Sequence, residues 1–214
     1  MFSGTLRAIV NRPKIILASQ SPRRKELLNL MGLDFLIIPS NYDEWLDDTH
    51  SAEDIAIELA LGKAMIVANK YPDSVVIASD TIVTIDGKQL GKPKDVNDAY
   101  YLLKLLSGRE NIITSSLAVI RKQDNIKLTG HDNVRVLFKP YNESAVRAYV
   151  GTGDAMDKAG AYGIQSGAAP LIDYIQGDFS TAMGLPTILL NEFLSKLGIE
   201  SKPVKLDPPV KIIA

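Results

Sequence analysis

The chain has 214 residues, 46% hydrophobic and 23% charged, with a formal net charge of -1, two histidines and no cysteine. Such values describe a globular protein able to bury a sizeable core, and they exclude a net positive field suited to a polyanionic nucleic acid, disulfides, thiolate metal sites and a cysteine nucleophile. Any metal must be held mainly by oxygen, and with no run of roughly 18 apolar residues and no signal-peptide core the expected location is the cytoplasm.

Residues 1–13 read as an N-terminal extension, residues 14–201 as one domain, and residues 202–214, with three prolines, as an extended C-terminal tail. Ile15-Ile16-Leu17-Ala18 predicts a buried strand, Ser19-Gln20-Ser21-Pro22 breaks it, and Arg23 to Gly32 predicts a helix. Ser21 suits the N-cap, Pro22 the first helical position and Gly32 the stop, while Leu27, Leu28 and Met31 form the apolar stripe. Phe35 to Pro39 is a second apolar run. A helix follows from Ser51, with Asp54 in its first turn and Ile55, Leu59 and Ile66 on one face, and Lys63 falls on or beside that face.

Val75 to Ala78 and Thr81 to Ile85 predict strands separated by Ser79-Asp80, and Asp86-Gly87 marks a hairpin turn. Gly91-Lys92-Pro93-Lys94 leads into a helix capped by Asp95 and ended by Gly108. Asn111 to Ile120 and Val134 to Phe138 read as strands, with the polar stretch from Arg121 to Asp132 as the turn and its flanks. A short helix over 142–150, a glycine-rich region over 151–167, a strand near 171–175 and a helix over 186–197 complete the order. Crossovers mixed with hairpins predict an elongated α/β body: a mixed sheet flanked by helices, in two lobes with a cleft between them.

Ser19-Gln20-Ser21-Pro22-Arg23-Arg24 places hydroxyls, free backbone N–H groups and two guanidiniums at a helix N-terminus, which fits a phosphate cradle or an ordinary capped helix with solvated arginines. Asp80 follows one apolar strand, and Asp43 and Glu44 follow another. Two or three of these carboxylates converging would suit Mg²⁺, Mn²⁺ or Co²⁺, whereas turn capping is the other reading. Lys63 and Lys92 are candidate partners of phosphate charge, or surface lysines. His50 and His131 read as surface positions, neither lying beside another metal ligand.

Leu17-Ala18-Ser19-Gln20-Ser21-Pro22-Arg23-Arg24, Ala78-Ser79-Asp80-Thr81, Gly91-Lys92-Pro93, the run from Asp157 to Gln165, and Gly184-Leu185-Pro186 resemble, in order, the signature blocks of the Maf proteins. The resemblance spans about residues 14 to 198. It implies a fold related to the inosine triphosphatases, a homodimer, and divalent-cation-dependent hydrolysis of the α–β phosphate bond of a nucleoside triphosphate. By the same resemblance Asp80 is the proton acceptor and a metal ligand, Glu44 a metal-binding carboxylate, and Ser19, Arg23, Arg24, Lys63 and Lys92 the triphosphate contacts. Arg23, Thr81 and Gln165 match the family's substrate-selectivity set, and the block ending in Gln165 resembles the branch that prefers dTTP and UTP. A glutamine amide offers the donor and acceptor that the O4 and N3–H edge of thymine or uracil requires. The chain departs from the family's pattern at Ser166, where glycine is usual, at Gln20, where a small residue is usual, and at Asn111, in place of a common histidine. Two other readings accompany the first: a nucleotide-binding regulator of cell division, and the same chemistry on inosine, xanthosine or modified pyrimidine triphosphates.

Overall fold

The computed structural model describes residues 13–213; the expected N-terminal extension lies, apart from Pro13, outside them. Strand β1 (Ile15–Leu17) is buried on both faces, as an unbroken apolar run demands. It lies parallel between β2 (Phe35–Ile37) and β3 (Val75–Ala78). Parallel neighbours need long crossovers, which helices α1 (Pro22–Leu30) and α2 (Ala52–Lys70) provide. Side chains alternate across this part of the sheet. Ile15, Leu17, Val75 and Ile77 enter the larger core, whereas Ile16, Ala18, Val76 and Ala78 pack with Ala60 and Ala64 of α2.

Ser51 caps α2 by accepting from Asp54 N at 3.1 Å. Its buried face runs through Ile55, Ala56, Leu59, Ala60, Lys63, Ala64 and Val67. Ile66, expected on that face, lies at its margin and is only partly buried, so Lys63 falls nearer the middle of the buried arc than expected.

Strands β4 (Thr81–Ile85) and β5 (Lys88–Leu90) form a hairpin closed by Asp86 and Gly87, at φ 50° and 77°, the conformation that an Asp-Gly pair adopts most readily. Helix α3 (Val96–Leu106) starts where Asp95 accepts from Asp98 N at 2.9 Å. Two long strands then carry the whole molecule: β6 (Glu110–Arg121) and β7 (Ile126–Phe138) pair without interruption from Glu110 opposite Leu137 to Arg121 opposite Ile126. The expected start of β7 at Val134 is therefore corrected to Ile126. Residues 126–133 alternate between half-buried and exposed, and the polar members of a half-solvated strand read as turn in the sequence.

Helix α4 (Glu143–Val150) is capped by Asn142, and β8 (Ile172–Gln176), α5 (Phe179–Ala182), α6 (Thr187–Lys196) and β9 (Lys211–Ile213) follow. The nine strands among the described residues form one mixed sheet, in the order β2-β1-β3-β6-β7-β8-β9 with β4 also on β6 and β5 on β4. Strands β4 and β3 lie end to end along the same edge of β6, at Ile112–Ser115 and Ala118–Ile120, in unchanged register. In effect they are one strand interrupted at Ser79-Asp80. Strands β8 and β9 join the opposite edge of the ribbon, at the β4 end. Each half of the β6–β7 ribbon thus carries its own strands and helices, which makes the two lobes, and the interruption at Ser79-Asp80 sits where they meet. The C-terminal segment is extended but docked: Lys202 N donates to Met31 O at 2.8 Å, Val210 is buried, and β9 pairs parallel to β8.

Candidate active site

The interruption of the β3–β4 line places Asp80. Its carbonyl accepts from Ser116 N at 2.9 Å and its N–H donates to Ser116 Oγ at 3.2 Å, while Ser116 Oγ donates to Ala56 O at 2.6 Å. With its backbone clamped between β6 and α2, the Asp80 side chain projects, 8% exposed, into a cleft of about 690 Å³ between the lobes. Lys63 reaches it from α2. The buried Lys63 ammonium donates to Asp80 Oδ1 and, at 2.7 Å, to Glu44 Oε1; Lys92 donates to Glu44 Oε2 at 2.9 Å. Burial opposes ionisation of Glu44, but the hydrogen bonds and charges of Lys63 and Lys92 outweigh it and hold that carboxyl down at about 2. Asp43, the third candidate carboxylate, is exposed and does not line the cleft.

The N-terminus of α1 faces the same space. Ser21 occupies the cap position with an extended backbone, yet its hydroxyl makes no capping bond, so the expected cap is corrected. Instead Ser21 N donates to Ser19 Oγ at 3.2 Å. Without a side-chain cap, the first-turn N–H groups and the positive end of the helix dipole would suit an anion. Arg24 is half-buried and spends its fork on the protein: Nε donates to Gly184 O (2.8 Å), Nη1 to Ser19 Oγ (3.2 Å) and Nη2 to Thr81 Oγ1 (3.1 Å). Burial lowers its pKa, with Arg23 adding to the shift and the charges of Asp80 and Glu44 opposing it. Gly184 has φ 102°, a conformation reserved for glycine, and in it the carbonyl accepts from both Arg24 and Ser79 Oγ (2.7 Å). Arg23 is half-buried, and its Nε is a buried donor with no partner in the protein.

Gln165 lines the same cleft, and its Oε1 is likewise buried and unpaired. Around it lies a network centred on Asp154, which the sequence did not single out. Asp154 accepts from Tyr149 Oη (2.8 Å), Ser166 Oγ (2.6 Å) and Lys158 Nζ (2.9 Å), and Lys158 also donates to Asp157 Oδ1 at 2.7 Å. Burial raises the Asp154 pKa, but those hydrogen bonds and the Lys158 charge prevail and lower it. The sequence clue was slight: an Asp-Lys pair inside a glycine-rich stretch. Asn111 is buried and accepts from Tyr162 Oη at 2.7 Å. His50 and His131 are exposed and away from the cleft, as expected.

The cleft therefore brings the cationic side chains Arg23, Lys63 and Lys92 and two carboxylates together with an unpaired amide acceptor. Among the described residues no group of three or more His, Cys, Asp or Glu side chains is placed to hold a metal ion. Glu44 and Asp80, linked through Lys63, offer carboxylate oxygens alone. That donor set fits a hard divalent cation which takes its remaining ligands from phosphate and water.

Among known proteins, the chain matches the family model described as Maf-like protein over residues 14–197. It is 40% identical over 188 residues to a dTTP/UTP pyrophosphatase of Dictyoglomus turgidum, covering 87% of this chain and 97% of that one. It is 42% identical over 188 residues to a dTTP/UTP pyrophosphatase of Bacillus velezensis, covering 88% and 98%. A HAM1 protein from Coxiella burnetii aligns in structure at 20% identity and TM-score 0.46, over 84% of this chain and 99% of that one. The match over residues 14–197, together with these relatives, shows that the chain belongs to the Maf family.

Proposed function

We propose that the chain is a nucleoside triphosphate pyrophosphatase that hydrolyses the α–β phosphate bond of dTTP and UTP to the monophosphate and pyrophosphate. One observation carries this reading: a single cleft holds the α1 N-terminus without a side-chain cap, Arg23, Lys63 and Lys92, two carboxylates, and Gln165 with an unpaired buried acceptor. The relatives' activity agrees with it.

In this account the triphosphate lies along the basic end, with Arg23 Nε and the first N–H groups of α1 donating to phosphate oxygens. Arg24 shapes that surface, since its fork is already engaged with Ser19, Thr81 and Gly184. Asp80 accepts the proton of the water that attacks the α-phosphorus, while Lys63 and Lys92 stabilise the charge gathering on the leaving pyrophosphate. Glu44 and Asp80 would hold a divalent cation, Mg²⁺, Mn²⁺ or Co²⁺, whose charge further neutralises the phosphates. Gln165 Oε1 accepts from N3–H of thymine or uracil. Cytosine has an acceptor at that position and leaves Gln165 unsatisfied.

Asp80→Asn keeps the shape and removes the base. Turnover of dTTP should fall about 10²- to 10⁴-fold while nucleotide binding, followed by calorimetry, persists. Full activity in Asp80→Asn rules out Asp80 as the proton acceptor.

A further inference from the structure

Glu44 lies in residues 38–51, a stretch with neither helix nor strand, so no ladder of backbone hydrogen bonds fixes its carboxylate. Two attachments flank it. On one side Gln89 Nε2 donates to the carbonyls of Asp47 (2.9 Å) and His50 (3.2 Å), and Gln89 N donates to Asp48 Oδ1 (3.0 Å). On the other, the Tyr42 ring packs on α2 against the cluster of Ile55, Leu59 and Ile82, over Gly62.

Gly62 is the lone glycine of that 19-residue helix. Glycine inside a helix is unfavourable relative to alanine, so its place there needs a reason. The geometry supplies one: a Cβ on Gly62 overlaps ring atoms Cε2 and Cζ of Tyr42 and comes within 2.8 Å of its hydroxyl. Gly62 adjoins Lys63, and Tyr42 precedes Glu44 by two residues. The ring therefore meets the helix beside the point where Glu44 meets Lys63.

We propose that Gly62 is a positioning residue: lacking a side chain, it seats Tyr42 on α2 and so holds the Glu44 carboxylate against Lys63 and Lys92. The catalytic half of this proposal rests on the reaction proposed above; the seating of the loop does not. Trp45, the one tryptophan of the chain, follows Glu44 directly and reports the loop without any substrate.

The experiment compares the wild-type protein with Gly62→Ala, Tyr42→Ala and Tyr42→Phe by acrylamide quenching of Trp45, thermal unfolding, and kcat/KM for dTTP. In Gly62→Ala, quenching should rise and kcat/KM should fall about 10- to 100-fold, as misplacement of a reacting group does, while the thermal midpoint holds because alanine favours the helix. Tyr42→Ala should release the loop without adding an atom to α2, and Tyr42→Phe, which keeps the ring, should behave as wild type. Wild-type quenching in Gly62→Ala overturns the proposal. So does a displaced Trp45 with kcat/KM unchanged, because the loop then moves without consequence for the reaction. A wild-type protein that hydrolyses no nucleotide, with quenching still raised in Gly62→Ala, upholds the seating and removes the reaction it was meant to serve.

Discussion

Glu44, Lys63, Asp80 and Lys92 of the cleft hold one another from separate segments of the chain, and pH tests this most simply at Glu44. Its carboxyl is held to about 2 by Lys63 and Lys92, below an ordinary value of 4.5. Because the folded value is the lower one, the contribution to stability is complete above the ordinary value and fades as pH falls toward about 2. Glu44→Gln should therefore lose stability relative to wild type near neutrality, and the difference should shrink on acidification through that window, as urea unfolding at several pH values would show. A constant difference contradicts the ion pairs. Which residues to examine was legible from the sequence, since Asp80 and Glu44 follow apolar strands and Lys63 lies on an apolar helix face. The partnerships were not: Lys63 joins two carboxylates, and Arg24 is tied to Gly184, 160 positions away.

Among elements, the glycine-rich segment after α4 owes its shape to side-chain bonds, because it has little regular structure beyond short turns. Asp154 is the knot, accepting from Tyr149, Lys158 and Ser166 directly beside Gln165. Asp154→Ala strands these donors and should cost about 1–3 kcal/mol in chemical unfolding. It should also raise KM for dTTP more than it lowers kcat, since the surroundings of Gln165 loosen while Asp80 stays clamped to β6. Helices α1, α2, α3 and α6 and the β4–β5 hairpin were legible from caps, stripes and the Asp-Gly turn. The first half of β7 and all of β9 were not, because the one is half-solvated with many polar residues and the other is three residues long just after Pro208 and Pro209, and pairing with β6 and β8 decides them.

Across the whole molecule, the β6–β7 ribbon unites two lobes, and the cleft lies where β3 gives way to β4. The C-terminal segment completes the structure around it: Val204 and Leu206 pack on the larger core, Val210 is buried and β9 covers the edge of β8. Deleting residues 202–214 should lower stability by at least about 2 kcal/mol, the scale of one buried valine, while leaving the residues of the cleft in place. An unchanged unfolding midpoint in the truncated chain contradicts that packing. Pyrophosphate release by the purified chain should be measured with dTTP, UTP, CTP, ITP and 7-methyl-GTP, with Mg²⁺ or Mn²⁺ and with EDTA. Metal-dependent release led by dTTP and UTP and abolished by EDTA is expected; no release from any of the five, with nucleotide still bound, contradicts the proposed reaction.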